Sequence, residues 1–297
     1  MIEEALSMRA HLPPRFTRWQ ALRNARIALT GARGTLGSLM VERLAENGIE
    51  THAFGGDITD PVAINAWLAK TTPRLVLHFA SVVPVDRVQL DPMQAMRVNA
   101  VGCLELVAAM AANAPGAWLF HASSSHVYRP LPVVPCGQER LSESAPCVPS
   151  SLYGATKLAA ECLVLPTAAS LGINACIGRI FSFHHPCQAE TYLVPGLIRR
   201  IAQAQKGSVL EVAYSNSVRD FLPAQAVIDA ILHLAAARFS GVVNIGSGTG
   251  VSVMEVAQHC LRASEKDVEL LGIPSPCPTA LVADVGLLRS VLKAASA

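Results

Sequence analysis

Arg26-Ile-Ala-Leu-Thr30, followed at once by Gly31-Ala-Arg-Gly34-Thr-Leu-Gly37, is the stretch that decides the fold. The first five residues read as a buried strand. From Thr35 to Asn47, Leu36, Met40 and Leu44 recur on one helical face, and Gly48 is a fitting stop. Glycines between the two elements permit a tight turn, close approach of a ligand to the backbone, and close packing of helix on strand. Free N–H groups and the positive dipole end of the helix favour an anion there, as in a pyrophosphate. The spacing is GxxGxxG where the usual dinucleotide fingerprint is GxGxxG. Gly31, Gly34 and Gly37, with Thr35 and Leu36 in the first helical turn, are candidate cofactor contacts.

Outward from this stretch, short apolar runs alternate with helical periods, the pattern of βαβ units. Ile49–Phe54 is a second strand, and Pro61–Lys70 a helix with Asp60 as N-cap and Pro61 in its first turn. Arg74–Ala80 is a third strand, Asp91-Pro92 opens a helix running to about Asn113, and Ala117–Ala122 is a fourth strand. Residues 129–149 hold five prolines and read as a loop. A helix over Ser151–Leu165, ended by Pro166, and a strand over Ile173–Ile180 follow. Beyond residue 181 the pattern loosens to a helix near 194–205, a strand near 208–213, a helix near 224–238 and short pieces. The expected fold is α/β: a Rossmann-type doubly wound parallel sheet with a smaller C-terminal substrate lobe. Residues 1–24 read as an N-terminal extension, 25–180 as the dinucleotide-binding domain, and 181–297 as mainly substrate lobe with crossing segments.

Composition narrows the partners. A net charge of +2 and no block of like charge argue against nucleic acid. No apolar h-region opens the chain and no stretch of eighteen residues is uninterruptedly apolar, so a cytoplasmic protein with no membrane partner is expected. The eight cysteines form no CxxC pair; they read as reduced thiols, and no metal centre is expected.

Tyr153-Gly-Ala-Thr-Lys157 places a phenol and an ammonium on one helix face. A neighbouring Lys⁺ stabilises phenolate and is expected to pull the Tyr pKa down toward working pH. Such a Tyr exchanges a proton with a carbinol oxygen while a nicotinamide, NAD or NADP, exchanges hydride with its carbon. Ser123-Ser-Ser125 lies just past the fourth strand, at the carboxyl edge where such sheets bind ligands. Asn99, polar within an apolar helix, either joins the active-site network or bonds a backbone carbonyl. Asp57 is placed to accept from an adenine amino group or to cap the next helix, and Ile58 beside it is a further candidate contact. Thr51–Gly56 has no acid for an adenine ribose, and Arg33 beside Gly34 suits a 2′-phosphate, so NADP is favoured over NAD unless Arg33 is simply a solvated loop cation.

Taken together, TGARGTLG, GDITD, HFAS, DP…RVNAVG, SSSHVY, SLYGATK, RIF…P and VRDFL resemble the extended short-chain dehydrogenase/reductase (NAD-dependent epimerase/dehydratase) family across roughly residues 26–250. GRIFSFHHPCQ and VNIGSGTGVSV are similar to its reductases of nucleotide-linked 4-keto-6-deoxy sugars, such as the GDP-4-keto-6-deoxymannose and dTDP-4-dehydrorhamnose reductases. The resemblance implies a catalytic set of Ser124, Tyr153 and Lys157. It implies cofactor contacts at Gly31, Gly34, Gly37, Asp57 and Ala80, and a sugar-nucleotide diphosphate on Arg219, with Ser125 and Ser182 near the substrate and a homodimer as the assembly. Ser182 stands where the family carries Asn, Ala226 where it carries Asp, and His185 where it carries Gly. His184-His185 reads as a substrate contact or a solvated pair. The implied activity is reduction of a keto sugar nucleotide; epimerisation or dehydration with retained NAD, or reduction of a non-sugar carbonyl, stays open.

Overall fold

Strand β1 (Ile27–Thr30) is buried along its whole length. Ile27 and Leu29 face one apolar layer and Ala28 the other. Burial on both faces makes a strand apolar throughout, which is why this segment shows no period of two. In the computed structural model, which describes residues 14–83, 85–134 and 139–296, the chain continues through α1 (Thr35–Ala45), β2 (Thr51–Phe54), α2 (Pro61–Thr71), β3 (Leu75–His78), α3 (Val85–Leu90), α4 (Pro92–Asn113) and β4 (Trp118–Ser124). After β5 (Leu131–Pro132) come α5 (Leu152–Ser170), β6 (Asn174–Ile180), β7 (Ser182–His184), α6 (Leu193–Gln203), β8 (Ser208–Ala213), β9 (Val218–Pro223) and α7 (Ala224–Ala237). The chain closes with β10 (Gly241–Ile245), β11 (Gly250–Ser252), α8 (Val253–Ser264), β12 (Val268–Ile273), β13 (Thr279–Leu281) and α9 (Gly286–Ser296).

Six strands form one parallel sheet in the order β10-β6-β4-β3-β1-β2. Met40 and Leu44 of α1, the α7 residues Val227 to Leu234, and Leu288 and Leu292 of α9 cover one face. Ile64 and Leu68 of α2, Leu106 and Met110 of α4, and Ala160 and Val164 of α5 cover the other. The strand order reverses between β1 and β3, so a crevice opens outside their carboxyl ends, the usual ligand position in open α/β sheets. A second, four-strand path β11-β9-β13-β5, with β7 on β9, and a β8–β12 pair form the smaller lobe. The crossing segments are β5, which leaves the first half for this lobe, and β10, which returns to the large sheet.

Pro166 does not end its helix, contrary to the sequence reading: α5 runs on to Ser170. Pro166 and Cys162, whose carbonyl loses its partner, are exposed, and the buried Val164 and Ala168 hold the last turn on the core. The last third is also more regular than its short pieces suggested. Ser252 and Glu255 form a reciprocal capping box that starts α8. Asp60 caps α2 as expected, accepting from Val62 and Ala63 N–H. Helix α4 is long and apolar enough, at a mean hydropathy of 1.4, to cross a membrane, but half of that window is buried within the fold. Of the N-terminal extension, Phe16 is buried and packs edge-on against Trp19 and His233; residues 1–13, like Cys136, lie outside the described residues.

Candidate active site

The phosphate-loop residues and the Tyr/Lys helix line one cleft of about 840 Å³ at the switch point. Gly31 has φ +76°, and a Cβ there would lie 2.5 Å from the Ala80 amide nitrogen. A Cβ on Gly37 would lie 2.1 Å from the Gly31 carbonyl oxygen. Both positions therefore demand glycine, and together they seat α1 directly over the end of β1. Gly34 occupies the N-cap of α1 and, having no side chain, provides no side-chain cap to the first-turn N–H groups. That leaves an uncapped helix start, with Thr35 and Leu36, facing the cleft. A dinucleotide pyrophosphate fits this donor set.

At the other wall, Ser151 caps α5 by accepting from Gly154 N–H at 3.1 Å. Gly154 brings the helix against the turn after β4, where a Cβ would stand 2.2 Å from the His126 carbonyl oxygen. This contact places Tyr153 beside Ser124, with which its phenol shares a hydrogen bond. The His126 ring lies edge-on to Tyr153 with centroids 5.6 Å apart. Lys157, buried, donates from Nζ to the Ala122 carbonyl at 2.9 Å. Burial holds its pKa down at about 8. Burial also drives the Tyr153 phenol above its ordinary value, outweighing the hydrogen bond from Ser124. The expected lowering of the Tyr pKa by Lys157 is thus absent in the chain alone, because the ammonium is directed at a backbone carbonyl and the phenol is desolvated.

The three serines have different surroundings. Ser123 Oγ donates to Glu161 at 2.5 Å, and Glu161 is locked by Arg179 at 2.7 Å. All three serines line the cleft, as do Ala80, Ser182 and Arg219, but only the Ser123 hydroxyl is engaged by Glu161. Arg219 has no ion pair with Asp220; it donates to the carbonyls of Val218 and Thr279 and to Thr279 Oγ1. Asp220 instead accepts from Ser247, Gly248 and Ala283.

Four candidate residues lie outside the cleft lining. Arg33 and Asp57 are exposed, and Asp57 accepts from the Thr59 N–H and hydroxyl, which lowers its pKa. The Ile58 side chain is buried against Gly102 of α4, so it belongs to the core. Asn99, fully buried in a π-helical turn of α4, holds Val82 through both its N–H and its carbonyl and also bonds Ser81 and Thr156. It fixes the loop after β3 to α5. His184 is buried in β7, not solvated. The sequence reading missed the Glu161–Arg179 pair with Tyr128, whose hydroxyl accepts from Arg179 at 2.9 Å. The available signal was an arginine inside the apolar strand ACIGRI.

Comparison with known proteins identifies relatives over most of the chain. GDP-6-deoxy-D-mannose reductase of Pseudomonas aeruginosa is 27% identical over 209 residues, covering 68% of this chain and 67% of the relative. The structure of Thermus thermophilus UDP-glucose 4-epimerase in complex with NAD superposes with a TM-score of 0.77 at 25% identity, covering 89% of this chain and 92% of that one. RMD from Pseudomonas aeruginosa complexed with NADPH superposes with a TM-score of 0.80 at 23% identity, covering 91% and 93%. Residues 27–246 match the profile of the NAD dependent epimerase/dehydratase family, and the chain belongs to that family of NAD(P)-dependent enzymes.

Proposed function

We propose that the protein is an NAD(P)H-dependent reductase of a nucleotide-activated 4-keto-6-deoxy sugar, with NADPH preferred. The observation that carries the reading is the chemistry beside Tyr153: the positions after Ser124 are Ser125 and His126, and the one carboxylate lining the cleft among the described residues is Asp86, exposed on α3. Dehydration requires an acid and a base close to the reacting carbons, and no carboxylate pair supplies them. Reduction requires only a held carbonyl and one proton. Ser124 Oγ donates to the substrate oxygen, Tyr153 delivers the proton to it, and the Lys157 charge stabilises the phenolate that is left. The cofactor, when bound, supplies hydride to the carbonyl carbon. Arg219, which lines the cleft from β9, suits a substrate diphosphate. The relative that reduces a GDP-linked 6-deoxy sugar supports this substrate class. The exposed apolar side chains Leu90, Met93 and Val101 of α3 and α4 support a homodimer through that edge.

The test mixes enzyme, NADPH and a 4-keto-6-deoxy sugar nucleotide and follows absorbance of the reduced cofactor. Stoichiometric oxidation is expected. Product formed without net loss of NADPH would overturn the reading in favour of epimerisation, the activity named for the Thermus thermophilus structure.

A further inference from the structure

Beneath the catalytic helix, on the far side of the sheet from α1, three side chains from three elements converge: His78 at the end of β3, His121 in β4 and Cys103 in α4. All are essentially inaccessible to solvent, and one ligand atom from each lies within 4.8 Å of the others. His78 and His121 sit opposite each other in the parallel register, with rings stacked at 5.3 Å. His78 Nδ1 lies 2.6 Å from Thr30 Oγ1, and its Nε2 lies 3.1 Å from Cys103 Sγ. Cys103 Sγ donates to the Asn99 carbonyl at 2.9 Å, so without a metal the sulfur accepts from His78 Nε2–H. A bound ion would take the other tautomer, with Nδ1–H donated to the Thr30 hydroxyl and the Nε2 lone pair on the metal, the second-sphere arrangement that fixes a metal-bound histidine. His121 is the telling residue. Among the described residues neither ring nitrogen has a hydrogen-bond partner, although the ring is 1% exposed. An unpartnered buried polar group is costly, so something must satisfy this imidazole.

We propose that His78, His121 and Cys103 form a binding site for a soft monovalent cation, Cu(I). Thiolate and imidazole donors select soft or borderline metals. Ligands at about 2.0 Å for nitrogen and 2.3 Å for sulfur would stand roughly 3.5–4 Å apart, within a small side-chain rotation of the arrangement seen. Three ligands suit a three-coordinate ion; structural zinc takes four almost without exception. Charge decides between them. The buried Lys157 ammonium acts electrostatically on all three side chains. Cu(I) with one thiolate is neutral beside it, whereas Zn(II) with one thiolate would leave a second buried positive charge. Binding forms the Cu–S bond and releases the Cys103 thiol proton to solvent, with no change in oxidation state. Sequence spacing could not show the site, since its ligands lie 18 to 25 residues apart on separate elements.

The experiment is anaerobic titration of the full chain with Cu(I) held by a chromophoric chelator, after the exposed thiols Cys162, Cys187 and Cys277 have been alkylated. One equivalent of Cu(I) should transfer to the protein with release of one proton and a rise in melting temperature. Cys103→Ser and His121→Phe should each weaken transfer by at least 100-fold. His121→Phe fills the same space without orphaned nitrogens, so it should fold and melt no lower than the wild-type apoprotein. Absence of transfer, transfer that persists unchanged in both variants, or stoichiometric Zn(II) uptake without Cu(I) uptake would each overturn the proposal.

Discussion

Lys157 Nζ donates to the main-chain carbonyl of Ala122 across 2.9 Å, tying the middle of α5 to the strand that ends at Ser124. With the close approach of Gly154 to the His126 carbonyl, this hydrogen bond holds the helix that carries Tyr153 against the strand that ends in Ser124. It also buries an ammonium, which burial depresses from 10.5 to about 8.

The sign of the resulting pH dependence follows directly. Between about pH 8 and 10.5 the unfolded chain keeps the Lys157 proton while the folded chain releases it. Over that window this group makes the folded state more stable as pH rises. The difference in unfolding free energy between wild type and Lys157→Met should therefore change in favour of wild type from pH 8 to pH 10. Parallel pH curves for the two proteins would refute it. Activity should move the opposite way: kcat/KM for reduction falls above about pH 8 as the ammonium is lost.

Tyr153→Phe should lower turnover by roughly 10²–10⁴, the usual worth of general acid–base catalysis, with dinucleotide affinity and melting temperature nearly unchanged. The Ser124 contact is the native hydrogen bond it removes. Steady-state kinetics alongside cofactor titration checks both halves, and a fully active variant would remove Tyr153 from the mechanism.

The sequence displayed this half of the site because its chemistry is local: a Tyr and Lys four apart on one helix, a serine triplet after a strand, glycines between strand and helix. What it could not display depends on distant partners. Ser123 and Ser124 are indistinguishable in SSSHVY and both line the cleft, yet Glu161, 38 residues away, engages the hydroxyl of the first. Asn99 looked equally fit for the active-site network or a backbone carbonyl; it does both, bonding the Val82 backbone and Thr156 on the helix of Tyr153. Pro166 looked like a stop because propensity is local, while Ala168 is held by the core.

Gly37→Ala tests the phosphate loop. The added methyl would overlap the Gly31 carbonyl oxygen, and backbone on both sides prevents relief by a side-chain rotation. A loss of about 1–3 kcal/mol of stability is expected from such overpacking. Cofactor affinity should fall with it, whereas Gly48→Ala, where no atom crowds the new methyl, should leave affinity intact. Equal cofactor binding by wild type and Gly37→Ala would show that the loop does not hold the dinucleotide.

Arg33 is exposed at the loop beside Gly34, where a 2′-phosphate would gain a charge-assisted contact. Arg33→Ala should weaken NADPH binding while leaving NADH binding unchanged. A ratio of the two affinities that ignores the substitution would assign the preference elsewhere.

Arg219 separates a substrate role from a structural one. Its guanidinium is half-buried on the cleft wall, and burial lowers its pKa, so the site holds a cation with incomplete solvation. Its protein partners are neutral: two carbonyls and the Thr279 hydroxyl. These contacts aim the group without neutralising it, and the neighbouring Asp220 is fully engaged with Ser247, Gly248 and Ala283. A charged group held this way has unspent affinity for an anion, and a diphosphate matches its forked donors. Arg219→Met keeps most of the apolar stem and removes the charge. KM for a sugar nucleotide should rise by at least tenfold with little change in NADPH affinity. Arg219→Lys should recover part of the loss through charge alone, because the fork is gone. Thermal melting discriminates the alternative: a purely structural arginine would lower the melting temperature in both variants and leave KM where it was.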